Sequence, residues 1–183
     1  ALEYLDQRGV RCVKLDATDL GRPVYAKLGF IDERPVSRWL RKPSEAMAPA
    51  KVSGAVDIAA LDGKAFGADR SRLLSMLSEQ EEQYTAEGGF AYGRPGRTAW
   101  HFGPCVARDT TTARTLLAAF LARHGDEPSI LDLCDEHSDA VAIATEAGYT
   151  PIRRLLRMYR GDRDGAALAS GPTIYTLAGF EFG

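Results

Sequence analysis

The chain carries two segments of one design, and that duplication limits its fold more than any other feature. Residues 10–41 and 129–160 each read as an apolar run closed by Asp, a helical stretch ending in Gly and an aromatic, and a strand rich in Arg. An offset of 119 positions lays Asp16 on Asp135, Gly29 on Gly148 and Phe30 on Tyr149. The same offset lays Arg34 on Arg153, Arg38 on Arg157 and Arg41 on Arg160. The spacing is too long for a solenoid and implies two related globular modules in tandem.

Local signals divide the chain further. Ala1–Arg8 is amphipathic and stopped by Gly9, so the chain is expected to begin inside a helix. Val10–Leu15 reads as a strand, Asp19 as the cap of a helix running to Leu28, and Pro35–Leu40 as a second strand. Lys42–Gly54 holds two Pro and little apolar content, and reads as a linker. Asp57–Gln80 has helical periodicity, expected to break at Gly63 and Gly67. A hairpin across Gly88-Gly89 follows, then a strand Thr98–Ala107 with Gly103-Pro104 marking a bulge or splay. Asp109 and Thr110–Thr112 supply N-cap chemistry for a helix to His124. Ile130–Cys134, Ser138–Ala147, Arg153–Arg160 and Thr173–Phe180 read as strand, helix, strand and strand, with a Gly-rich loop at Gly161–Gly171. This order predicts a mixed α/β sheet: a half-module at 1–41, a linker at 42–54 and a complete module at 55–183.

Composition narrows the function. The formal net charge of −2 gives no electrostatic case for nucleic acid or an anionic membrane. No apolar run approaches a bilayer span, and no signal leader is visible. Cys12, Cys105 and Cys134 are odd in number and far apart, which favours buried thiols in a reducing cytoplasm over a disulfide framework. His101, His124 and His137 are scattered, and no cluster has metal-site spacing, so no metal is expected.

The strings Leu15-Asp16-Ala17 and Tyr25-Ala26-Lys27-Leu28-Gly29-Phe30 resemble the second half of a GNAT-family N-acetyltransferase domain. Residues 55–183 resemble the divergent GNAT-like domain at the C-terminus of some tandem acetyltransferases. The segments that carry this are Phe66-Gly67-Ala68-Asp69-Arg70, Gly103-Pro104, Arg157-Met158-Tyr159-Arg160-Gly161 and Gly179-Phe180-Glu181-Phe182-Gly183. The resemblance implies a GNAT-like acyl-CoA N-acyltransferase fold. It further implies a transferase with acetyl-CoA as co-substrate and a small-molecule amine as acceptor.

A pyrophosphate needs backbone N–H groups aimed at it, best from a Gly-rich turn opening a helix. The first module's turn would lie before Ala1. In the second module the equivalent place is Arg108–Ala113, with Cys105, Val106 and Ala107 expected to pair with the pantetheine amides. Arg108 and Ala113 suit the family's pattern. Thr111 stands where the first Gly belongs, with Thr110 and Thr112 adding hydroxyl donors. Asp109 adds a repelling charge, and capping alone also explains these residue types. Tyr25 matches the family's proton donor to the departing sulfur, or else packs beside its strand. An offset of 119 reaches Ala144, which cannot donate a proton. His137 is a candidate base for the amine, or a solvated loop histidine. Two functions therefore stand: an acyl-CoA-dependent N-acetyltransferase, or a non-catalytic ligand-binding or assembly module. Arg153, Arg154 and Arg157 offer contacts to an acidic substrate or else form a solvated face, and Asp69-Arg70 reads as an ion pair. The edge of the first strand is expected to be covered by a second copy of the chain, giving a homo-oligomer, or by the second module.

Overall fold

The two repeated segments form neighbouring parts of one sheet. In the first, β1 (Cys12–Ala17) leads through α2 (Arg22–Lys27) into β2 (Ile31–Arg41). In the second, β6 (Ser129–Cys134) leads through α6 (Ser138–Glu146) into β7 (Thr150–Gly161). The structure, a computed structural model, describes residues 1–44, 52–162, 174–180 and 182. Most of the expected linker and nearly all of the Gly161–Gly171 loop lie outside the described residues.

The remaining elements are α1 (Leu2–Gln7), α3 (Ile58–Phe66), α4 (Ser71–Gln80), β3 (Glu82–Ala86), β4 (Gly89–Arg94), β5 (Trp100–Ala107), α5 (Thr110–His124) and β8 (Ile174–Thr176). The strands run β1-β7-β2-β6-β5-β4-β3, with β8 paired to β5. The segments exchange their last strands: β2 lies between β6 and β7, and β1 pairs with β7.

The registers reveal a local two-fold relation. Val36 faces Leu155, and each is the other's counterpart at an offset of 119. Around that pair, Arg34 faces Arg157 while Arg38 faces Arg153. Farther out, Asp16 faces Arg157, and Asp132 faces Arg38. The counterpart of Asp16 is therefore Asp132, three residues before the expected Asp135. The first strands align through Leu15-Asp16 and Leu131-Asp132, both helices begin six residues after that Asp, and the three additional residues of the second repeat lie in its helix, nine residues long against six. Asp135 lies past the strand end, where its carboxylate faces Arg154 at 3.1 Å.

The helix ends repeat as well. Phe30 N–H bonds the Tyr25 carbonyl at 3.1 Å, and Tyr149 N–H bonds the Ala144 carbonyl at 2.9 Å. Gly29 and Gly148 have φ of 85° and 84°, the left-handed region where a side chain is strained.

Side-chain alternation along the strands assigns the two faces. Val36, Leu155, Phe90, Tyr92 and Val106 pack with α3 and α4. Phe102, Leu131, Leu133, Phe120 and Leu116 form the core under α5 and α6. Leu15 and Met158 pack with Leu2 of α1 and Tyr25 of α2. The core is thus one sheet with helices on both faces.

Several local expectations shift. β1 lies two residues later than read, because Ala17 is needed to pair with Leu156. Asp19 does not cap α2; Gly21 holds that position and its N–H bonds Thr18 Oγ1 at 3.1 Å. Gly63 stays inside α3, and Gly67 alone ends it. Arg70 pairs with buried Asp62 (3.0 and 2.6 Å), while Asp69 accepts from Ser71 N–H. Arg157 is not solvated: it is 4% exposed and grips Asp16 with two 2.8 Å hydrogen bonds. The final strand covers only Ile174–Thr176 of the expected span.

Candidate functional site

β5 and β6 are parallel, and they pair only at Trp100–Ser129 and His101–Ile130 before parting. Beyond His101 they open into a cleft whose mouth is the start of α5. The expected splay at Gly103-Pro104 is therefore present. Gly103 has φ of 150°, and a Cβ there would stand 2.1 Å from the Leu177 carbonyl oxygen. Only glycine lets that carbonyl approach.

The cleft is filled by the chain's own C-terminal segment. β8 pairs antiparallel with β5, Cys105 opposite Thr176 and Val106 opposite Ile174. Leu177 N–H bonds the Asp132 carbonyl at 2.7 Å, so the segment spans from β5 to β6. The void left between Cys105, Ala113, Tyr175 and Thr176 is about 10 Å³. Cys105 is buried, and burial pushes its thiol well above the usual range.

The other groups expected to hold pyrophosphate also have protein partners. Asp109 accepts from Thr112 N–H at 2.8 Å, and that bond holds its carboxyl below the usual range. Ala113 N–H bonds the Asp109 carbonyl. Thr110 Oγ1 donates to Asp139 at 2.8 Å and stands 3.2 Å from the Tyr175 hydroxyl. Thr111 gives its carbonyl to the Thr115 hydroxyl. Arg108 N–H bonds the Gly88 carbonyl, and its side chain lies over Gly88. Residues 105–113 consequently do not fit acyl-CoA as the structure stands. A strand replaces the pantetheine partner, and a carboxylate stands where phosphate charge would go.

The two candidate catalytic residues lie in separate surroundings. Tyr25 is half-buried on α2, edge-on to Phe30 with ring centroids 5.9 Å apart. His137 caps α6, its Nδ1 accepting from Ala140 N–H at 3.3 Å, and its ring lies on Tyr175 at 4.8 Å.

Sequence reasoning missed the charged network at the centre of the sheet. Asp132 is fully buried and takes two 2.7 Å hydrogen bonds from Arg38, with His101 Nε2 at 3.3 Å. Burial pushes the Asp132 carboxyl up, but the bonds from Arg38 and His101 hold it below the usual range. Burial lowers His101, against the pull of Asp132. The signal available was the repeated Leu-Asp pair, had each strand been aligned separately from its helix. Among the described residues, no group of three or more His, Cys, Asp or Glu could hold a metal. No described helix is long and apolar enough to cross a membrane.

Residues 58–167, more than half of the chain, match the model of the acetyltransferase (GNAT) domain, and the chain belongs to that family. No curated protein matches the sequence. Among solved structures, a Pyrococcus horikoshii protein assigned as an acetyltransferase is similar over 100% of this chain, with TM-score 0.79 and 21% identity. A GCN5-related N-acetyltransferase from Sphaerobacter thermophilus covers 91% of it, with TM-score 0.58 and 15% identity. Another from Anabaena variabilis covers 87%, with TM-score 0.55 and 13% identity. These likenesses establish a mixed α/β GNAT-like fold. The chain spans 63%, 62% and 48% of those three chains, respectively.

Proposed function

We propose that the chain is part of an acyl-CoA-dependent N-acetyltransferase, carrying an acetyl group from acetyl-CoA to an amine. In this reading residues 1–41 end a first acetyltransferase module, and residues 55–183 form a divergent second one. The observation that carries it is the contrast between clefts. The β5–β6 cleft of the second repeat is occupied by β8, whereas the outer edge of β1 bears no strand among the described residues. The cofactor therefore belongs to the first module, and the second serves assembly by lending β7 and β6 to a shared sheet. Acetyl-CoA would supply the activated thioester. From this chain, Tyr25 would supply a proton, and His137 is left as the cap of α6. The outer edge of β1 is also where we place any self-association.

Two measurements test this. Backbone amide resonances of Val106, Ala107 and Thr112 should stay unmoved on titration with CoA to millimolar concentration. Shifts that saturate in the micromolar range would place the cofactor in the second cleft and end the reading. In acetyl transfer by the intact protein, Tyr25→Phe should lose about 10²–10⁴-fold in rate. His137→Ala should leave the rate unchanged; the reverse pattern would reassign the chemistry.

A further inference from the structure

A cavity of about 480 Å³ opens over the β1–β7 pair, on the α3–α4 face of the sheet. Its size lies within the range of small-molecule sites. The Asp16–Arg157 pair forms its floor, and Phe66 at the end of α3 and Phe180 after β8 stand on its wall. Both repeats build it. The Asp132–Arg38 pair related to this floor has no such opening, because Asp132 is covered by His101 and the segment after β8.

Its charges are already matched. Asp16 accepts both of its hydrogen bonds from Arg157. Lys14 donates to Glu33 at 2.9 Å, and Asp162 faces Arg11 at 3.8 Å. The Cys12 thiol is pushed up by burial. The rings are engaged as well. The Arg70 guanidinium stands 3.8 Å from the Phe66 centroid, that of Arg38 4.7 Å from Phe180, and that of Arg94 5.7 Å from Phe182.

An ammonium entering this space would meet carboxylates that hold cations and rings that already face one. Its desolvation would go largely uncompensated. An amine that is neutral on arrival avoids that cost and needs no base to free its lone pair. We propose that the cavity is the acceptor subsite, and that its acceptor is an arylamine: an aromatic body whose nitrogen is uncharged at neutral pH. The assignment of the cavity to the acceptor rests on the acetyltransferase reading above.

The test is binding without acetyl-CoA, by saturation-transfer NMR with aniline, benzylamine and spermidine as probes. Aniline should bind with an affinity that does not change between about pH 6 and 8, where its charge is constant. Benzylamine, of similar shape but protonated, should bind at least about tenfold more weakly at neutral pH, about 1.4 kcal/mol, and gain affinity as pH rises. Spermidine should not bind. Ala68→Trp, an exposed rim position, should abolish aniline binding without disturbing the core. Phe180→Ala should weaken it. Equal binding of benzylamine or spermidine, or aniline binding untouched by Ala68→Trp, would overturn the proposal. Because no cofactor is present, these outcomes are independent of whether acetyl transfer is found.

Discussion

In the first repeat α2 buries no residue fully, and Leu20, Val24, Leu28 and Ile31 around it are exposed. In the second, α6 buries Ala140, Ile143 and Ala144 against the sheet, and β6 lies between β2 and β5. The hydrogen-bond frame is shared: a Gly with positive φ after each helix, an aromatic bonded to the same helical carbonyl, an Asp–Arg pair across the strands. What differs is what covers that frame. β8 and Tyr175 close over the second copy, where the position of Tyr25 has become buried Ala144. A duplicated backbone thus keeps its register while its chemistry is decided by the neighbours each copy acquires.

The largest effect expected comes from the paired charges. Arg157→Ala leaves Asp16 buried and unpaired, at a cost of about 3–5 kcal/mol. Arg38→Ala should cost less, since Asp132 keeps His101. Denaturant unfolding of both variants measures the difference, and equal losses would show that His101 does not hold Asp132. Next, Gly103→Ala drives a methyl into the Leu177 carbonyl and should destabilise by about 1–3 kcal/mol through strain at an overpacked site. Its control is Gly9→Ala, just ahead of the first repeat, with φ of 67° and no atom near the new methyl. That change should cost about 1–2 kcal/mol from the left-handed backbone alone. Gly103→Ala should also loosen β8, seen as faster labelling of Cys105 by a thiol reagent; unchanged labelling would mean that β8 is not what shields it.

The smallest effect concerns a half-buried carboxyl on the covered side. Burial raises Glu81 to about 7, against the pull of Arg94. Between its unfolded value and about 7 the folded chain keeps a proton that the unfolded chain has released. Its contribution therefore falls as pH rises through that window, and levels off above it. Thermal unfolding from pH 5 to 8 should show this decline, and Glu81→Gln should flatten it. An identical slope in the variant would assign the decline to another group.

Much of the fold was legible because its signals are local. Gly29 and Gly148 close their helices through backbone geometry, and Asp109 caps α5 through its own carboxylate. The apolar run Ile130–Cys134 marks a strand buried on both faces, and the periodicity of α5 follows from its buried face. The candidate site was less legible. Asp109, Thr110 and Thr112 have the composition of an anion cradle, yet Asp139 and Tyr175, far along the chain, determine what they bind. Arg157 looked like part of a charged face because alternation reports direction and not the partner; Asp16, 141 positions away, makes it internal.

The sequence by itself determined that two strand–helix–strand units exist, where their helices stop and which family the chain belongs to, since these depend on residues within one turn or one strand of each other. Only the tertiary structure decided that the units trade strands, that Asp16 corresponds to Asp132, and that a three-residue strand near the C-terminus occupies the second cleft. Those outcomes depend on hydrogen bonds and ion pairs between distant residues, whose pairing no local preference specifies.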